Sequence, residues 1–151
     1  MSDRYRAGVA TLFGLSADKA DLVSDALAAQ VPEFVRLTVE FAFGDIFARP
    51  GLDPRTRLFV GIGALAVQSR APAQLRWFVR AALEGGASRG EVIEALMEVA
   101  VFAGFATAAN AFETCGDLLA DQGGADCACT LATARIRPEA VRESGVEACM
   151  V

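Results

Sequence analysis

Glu98 is the carboxylate whose setting in the sequence best suits proton transfer. It lies in the run Leu96-Met97-Glu98-Val99-Ala100-Val101, apolar on both sides. A carboxyl group buried among apolar side chains is a natural general acid or base. On a helix Glu94, Glu98 and Phe102 share one face, one turn apart. The same spacing also describes a solvated stripe of Glu91, Glu94 and Glu98, and the sequence leaves both readings open. Glu40 is a second carboxylate in apolar surroundings, just before Phe41-Ala42-Phe43-Gly44. Arg49 and Arg57 flank a turn. Either could grip a substrate carboxylate bidentately, and either could instead pair with Asp45 or Asp53 across a helix or subunit interface. Trp77 and Phe78 form an aromatic pair that is either core or a stacking wall for an apolar ligand.

Other chemistries find little support. There is no histidine in the 151 residues. Cys115 falls in an apolar helical stretch and reads as a small buried residue. Cys127, Cys129 and Cys149 lie near the C-terminus with a one-residue spacing that does not suit zinc, so no metal is expected and reduced thiols are. No Gly-rich phosphate loop, nucleophile elbow or dinucleotide fingerprint occurs.

The elements that must carry these residues all read as helices. Ser16 can cap a helix running to about Ala29, with Asp18 in its first turn. Val9-Ala10-Thr11-Leu12-Phe13 is short, and its setting favours helix. Pro32 suits a first helical position and starts a helix to about Phe47, with Phe34, Leu37, Phe41 and Ile46 as the expected buried stripe. Arg49-Pro50-Gly51 breaks it. Asp53-Pro54 restarts one, and Leu58 to Val67 is apolar on nearly every face, as in a central buried helix. Pro72 opens a helix that closes at Gly85-Gly86. Ser88 and Glu91 form a capping box for a helix to about Ala103. Gly104 separates it from a last core helix over about 106–120. Residues 1–124 then make one all-α domain, and residues 125–151 a C-terminal appendage.

Apolar residues make up 54% of the chain, more than a small soluble domain needs. The excess predicts burial against other copies of the same chain. The net charge of −5 argues against nucleic acid, which demands clustered cations. No apolar run reaches the length of a membrane span, and Met1-Ser2-Asp3-Arg4-Tyr5-Arg6 has no apolar signal core behind it, so no membrane association and a cytoplasmic location are expected.

Three segments in order carry a further signal: Phe43 to Arg57 around Arg49-Pro50-Gly51-Leu52, then Leu75-Arg76-Trp77-Phe78-Val79-Arg80-Ala81-Ala82-Leu83, then Val101-Phe102-Ala103-Gly104-Phe105. Together they resemble the carboxymuconolactone decarboxylase family of the alkylhydroperoxidase-D-like superfamily. The resemblance implies an all-α bundle of about six or seven helices, assembled as a trimer or hexamer. It implies an enzyme without a cofactor that acts on a small or aromatic carboxylate or lactone by proton transfer. The family's third motif usually reads Leu-Arg-x-His-Val-Arg-x-Ala-Leu, and its histidine is the proposed proton-transfer residue. Phe78 stands at that position and cannot transfer protons. Glu98 or Glu40 would then move the proton, Arg49 or Arg57 would hold the acid group, and Trp77, Phe78 and Phe102 would wall the pocket. The alternative is a non-catalytic ligand-binding or scaffold protein on the same fold. The superfamily's peroxidase branch places a Cys-x-x-Cys pair ahead of the histidine. Ala71-Pro72-Ala73-Gln74-Leu75 has no cysteine, so that chemistry has no nucleophile here.

Overall fold

A computed structural model describes residues 2–16 and 25–120. The expected C-terminal appendage, with Cys127, Cys129 and Cys149, lies outside the described residues, as does Asp18. The described part is helical throughout, without a strand: α1 (Asp3–Leu15), α2 (Asp25–Gln30), α3 (Pro32–Thr38), a π-helical segment (Val39–Phe47), α4 (Pro54–Gln68), α5 (Pro72–Glu84), α6 (Arg89–Ala103) and α7 (Phe105–Leu119). None of these helices is long and apolar enough to cross a membrane.

The starts and stops follow local chemistry. The Asp53 carboxylate accepts from the Thr56 amide at 3.0 Å, and Pro54 needs no amide partner in the first turn of α4. At the start of α6 the Ser88 hydroxyl accepts from the Glu91 amide at 3.2 Å, and the Glu91 carboxylate accepts from the Ser88 amide at 2.9 Å. This is the reciprocal cap expected from the sequence. Gly104, at φ +87°, turns the chain from α6 into α7 through a conformation that suits glycine. Ser16 lies at the C-terminal end of α1, where its amide donates to the Leu12 carbonyl at 3.2 Å, and most of the helix expected from Ser16 to Ala29 falls outside the described residues.

Helices α4, α5, α7 and α6 pack pairwise around a closed circuit, each touching the next. Their shared interior holds Leu58, Ile62, Leu75, Trp77, Val79, Val92, Leu96, Ala111 and Cys115, all buried. Arg76 on α5 ties to α7, donating to the Thr114 carbonyl at 2.8 Å and to the Asp117 carboxylate at 2.7 Å. The bond from Arg76 holds the Asp117 carboxyl down at about 2. Helix α4 is less central than expected. Leu58, Ile62 and Ala66 face the core, four residues apart, while Val60 and Val67 are exposed.

The largest departure concerns 32–47. The chain is helical over this whole stretch, but its last nine residues widen into a π-helix, and the expected buried stripe is on the outside. Phe34, Leu37, Phe41 and Ile46 are exposed, whereas Val39, Glu40 and Phe43 are buried. The cause is α1, which packs on the inner face of the π segment more closely than side chains would allow. A Cβ on Gly8 would collide with the Val39 carbonyl, and one on Gly44 would lie 2.5 Å from the Arg4 carbonyl oxygen. Two glycines, one on each partner, thus let the backbones meet. Arg4 then reaches Asp45, with Nε donating to the carboxylate at 3.0 Å.

Candidate active site

The expected site residues fall in three separate places. The first is an aromatic cluster where the π segment meets α5. Trp77 is fully buried, edge-on to Phe43 at 6.1 Å between ring centres and to Phe78 at 5.1 Å. Phe78, half-buried, meets Phe47 edge-on at 6.0 Å. Its ring also lies over the α4 backbone: a Cβ on Gly61 would be 2.5 Å from Phe78 Cδ1. Trp77 therefore belongs to the core of the protomer, where its neighbours cover it entirely. Gly61 and Phe47 escape a sequence reading. The one available signal was a glycine with no turn to explain it, inside an apolar helix.

The second place holds Glu40. It is buried, and its carboxylate accepts from the Ser2 hydroxyl at 2.5 Å and from Arg36 Nη1 at 2.8 Å. The Ser2 bond first, then the Arg36 guanidinium, pull its carboxyl below the ordinary glutamate range against the opposing effect of burial. Those partners favour a fixed anion that fastens α1 and α3 to the π segment. A group so held is poorly placed to exchange a proton with a substrate. Arg57 is likewise committed, though not to the carboxylates expected. Its guanidinium donates to the carbonyls of Arg49 at 2.6 Å and Leu52 at 3.2 Å, bracing the turn from within. Asp45 is taken by Arg4 and Asp53 by Thr56. Arg49 is exposed on that turn. Arg55 pairs with Glu91 and lies 5.8 Å from the centre of the Phe59 ring.

The third place is an open groove of about 390 Å³ between α4 and α6. Gly63, Ala64 and Val67 line it from α4, and Ala95, Glu98, Val99 and Phe102 from α6. The small residues on α4 and Ala95 keep the helices from filling it. Glu98 is its only ionisable lining residue, and Phe102 stands one helical turn further on, 81% exposed. Glu98 is exposed in the protomer, not buried as its apolar neighbours suggested, because those neighbours point elsewhere on the helix: Leu96 and Val99 go to the core. The structure thus brings Glu98 and Phe102 together and leaves Trp77, Phe78, Glu40, Arg49 and Arg57 out of the groove lining. Among the described residues no group of His, Cys, Asp and Glu side chains could hold a metal ion.

Comparison with known proteins places this architecture. The sequence model of the carboxymuconolactone decarboxylase family matches residues 32–114, more than half of the chain. The chain belongs to the carboxymuconolactone decarboxylase family. It is 38% identical over 93 residues to an uncharacterized 15.0 kDa protein from the nqo9–nqo10 intergenic region of Paracoccus denitrificans, covering 61% of this chain and 69% of that one. It is 29% identical over 91 residues to the 4-carboxymuconolactone decarboxylase of Acinetobacter baylyi, covering 60% and 67%. It is 34% identical over 68 residues to the nitrosuccinic acid decarboxylase npaB of Metarhizium robertsii, covering 45% and 47%. The family match runs from the start of α3 into α7, so it contains α4, α5, α6, the first ten residues of α7 and the α4/α6 groove. Helix α1, with the Ser2 and Arg4 contacts that fix the π segment, lies before it.

Proposed function

We propose that this protein is a cofactor-independent, decarboxylase-like enzyme with an altered pocket. It acts on a small or aromatic carboxylate or lactone, with Glu98 as the proton carrier. The observation that carries the reading is the α4/α6 groove: apolar, of small-molecule size, with one carboxylate and an aromatic ring on its rim. Membership of the family and the two relatives named as decarboxylases support the reaction class. Loss of CO2 breaks a carbon–carbon bond and leaves its electron pair on the remaining carbon. A carbonyl or nitro group of the substrate next to that carbon can take up the pair, so the electron sink travels with the substrate. The step that then needs the protein is delivery of a proton to that carbon, a transfer that the Glu98 carboxyl group would carry, taking up a proton from water afterwards. Phe102 and Val67 would cover the substrate's apolar part.

A second reading, a ligand-binding or scaffold protein, is favoured by the aromatic cluster. Phe78 packs on Gly61 where the family motif has its histidine, and Trp77 is sealed, so no transferable proton exists at that place. The test is CO2 release from carboxymuconolactone, nitrosuccinate and a panel of small keto, nitro and aromatic acids. Carboxymuconolactone itself should react slowly, since Phe78 replaces the histidine. For whichever acid reacts best, Glu98→Gln should lower the rate by about 10²- to 10⁴-fold while leaving helicity unchanged. Equal rates for the variant and wild type would exclude Glu98. Binding without turnover across the panel would favour the second reading.

A further inference from the structure

Gly63 lies in the interior of α4, where glycine weakens a helix relative to alanine. Other helical glycines have a local reason. A Cβ on Gly8 or Gly44 would collide with the backbone of a neighbouring helix, and one on Gly61 with the Phe78 ring. Gly14, Gly90 and Gly116 lie in the first or last turns of their helices, the ends that fray. A Cβ on Gly63 would meet nothing within 4 Å among the described residues. The space it leaves open is the α4/α6 groove, which Gly63 lines.

The neighbours of that space share its character. Ala64 beside Gly63 and Ala95 across the groove are small, so both walls come close to bare backbone. Close approach of backbone to a ligand is one of the uses that calls for glycine. Such walls form a flat face and not a socket for a branched chain. Phe102 lines the groove from α6 with its side chain 81% exposed, and its ring offers a second flat surface. No cation lines the groove, so a ligand's carboxylate would stay at the open mouth, where water solvates it. The volume of about 390 Å³ is near the lower end for small-molecule sites and suits one ring with its substituents. We propose that the groove is a slot for a carboxylic acid built on one flat ring, and that Gly63 is the residue that admits it. The ring lies against the backbone at Gly63 and Ala64 and pairs with Phe102. A puckered or branched acid is thicker and fits less well.

That the ring belongs to the substrate rests on the Glu98 reading; the slot does not, and its test reads binding. Benzoate and cyclohexanecarboxylate, alike in charge and different in flatness, are titrated into the full chain and followed by amide NMR. Wild type should bind benzoate more tightly, by roughly two- to tenfold, with shifts concentrated in α4 and α6. Gly63→Leu should weaken benzoate binding by at least about tenfold. Ala64→Leu, at an exposed position, should do the same and serves if Gly63→Leu does not fold. Phe102→Leu should remove the preference for the flat ring. Gly63→Ala should melt no lower than wild type, and neither should Gly116→Ala outside the groove, but only the first should weaken benzoate. A lower midpoint for Gly63→Ala would mean that the missing side chain serves packing, and would overturn the inference. So would a wild type that does not bind benzoate or does not prefer it, or leucine variants that bind it as well as wild type does. A changed native mass in those variants would also overturn it, since another chain would then fill the groove. Loss of benzoate binding in Gly63→Leu, with Glu98→Gln turning over at the wild-type rate, would keep the slot and reject the proton carrier. The reverse pair of results would reject the slot alone.

Discussion

Phe78 sets its ring against the α4 backbone at Gly61, and each of these residues explains the other. The ring needs a place with no side chain, and the glycine, which weakens a helix interior, has its reason in the ring. Restoring histidine at position 78 would put an imidazole into a cluster of Trp77, Phe47 and Gly61 that is shaped around a phenyl edge, so the change alone should not rebuild the family's chemistry. Gly61→Ala should destabilise the fold by about 1–3 kcal/mol through overpacking, measured by urea unfolding. Phe78→Leu, which removes the ring edge, should relieve most of that cost when the two changes are combined. Additive effects in the double variant would mean that the ring is not what Gly61 accommodates. At this scale the sequence was partly legible. Glu98 and Phe102 do meet at one groove, as helical spacing required. Trp77 was ambiguous because adjacent aromatic residues on a helix point in different directions, one into the core and one across it. The commitments of Glu40 and Arg57 were not readable at all. Their partners, Ser2 and the carbonyls of Arg49 and Leu52, are chosen by how the chain folds back on itself.

Helix boundaries were the most legible elements, because caps are local: Asp53-Pro54, Ser88 with Glu91, and Gly104 each act within a few residues. The π segment was not, since its widened turn belongs with a contact between residues far apart in sequence. It carries Glu40, Phe43 and Phe47, so it links the α1 contacts to the aromatic cluster around Phe78. Burial of the 32–47 stretch was misread for a related reason. Apolar residues occur on two of its faces, and periodicity cannot say which face α1 will cover. Gly8 is the point where this arrangement is most open to test. A Cβ there meets the Val39 carbonyl, a backbone atom that cannot swing aside as a flexible side chain would. Gly8→Ala should therefore push α1 off the π segment and expose its inner face. Amide hydrogen exchange should rise over 3–15 and 39–47 while the α4–α7 circuit keeps its protection. Exchange unchanged in α1 would show that the two backbones have room to separate without loss of the dock.

At the scale of the whole molecule, an apolar content of 54% in 151 residues leads to the expectation of burial against other copies, and the described residues leave apolar side chains exposed around Phe34 and Phe102. If like copies cover these faces, assembly and folding stability are one equilibrium: association adds stability only to the folded chain, and more so at higher concentration. The thermal midpoint of wild type should therefore climb with protein concentration over a range of about a hundredfold. Val101→Glu, confined to a monomer, should melt lower and at a midpoint independent of concentration. The variant changes a residue 78% exposed in the protomer, so its own core is untouched and a lower midpoint can come only from the lost contact between copies. A wild-type midpoint that stays fixed across the range, with Val101→Glu melting beside it, would mean that the protomer is stable on its own and that the apolar faces contribute nothing to folding.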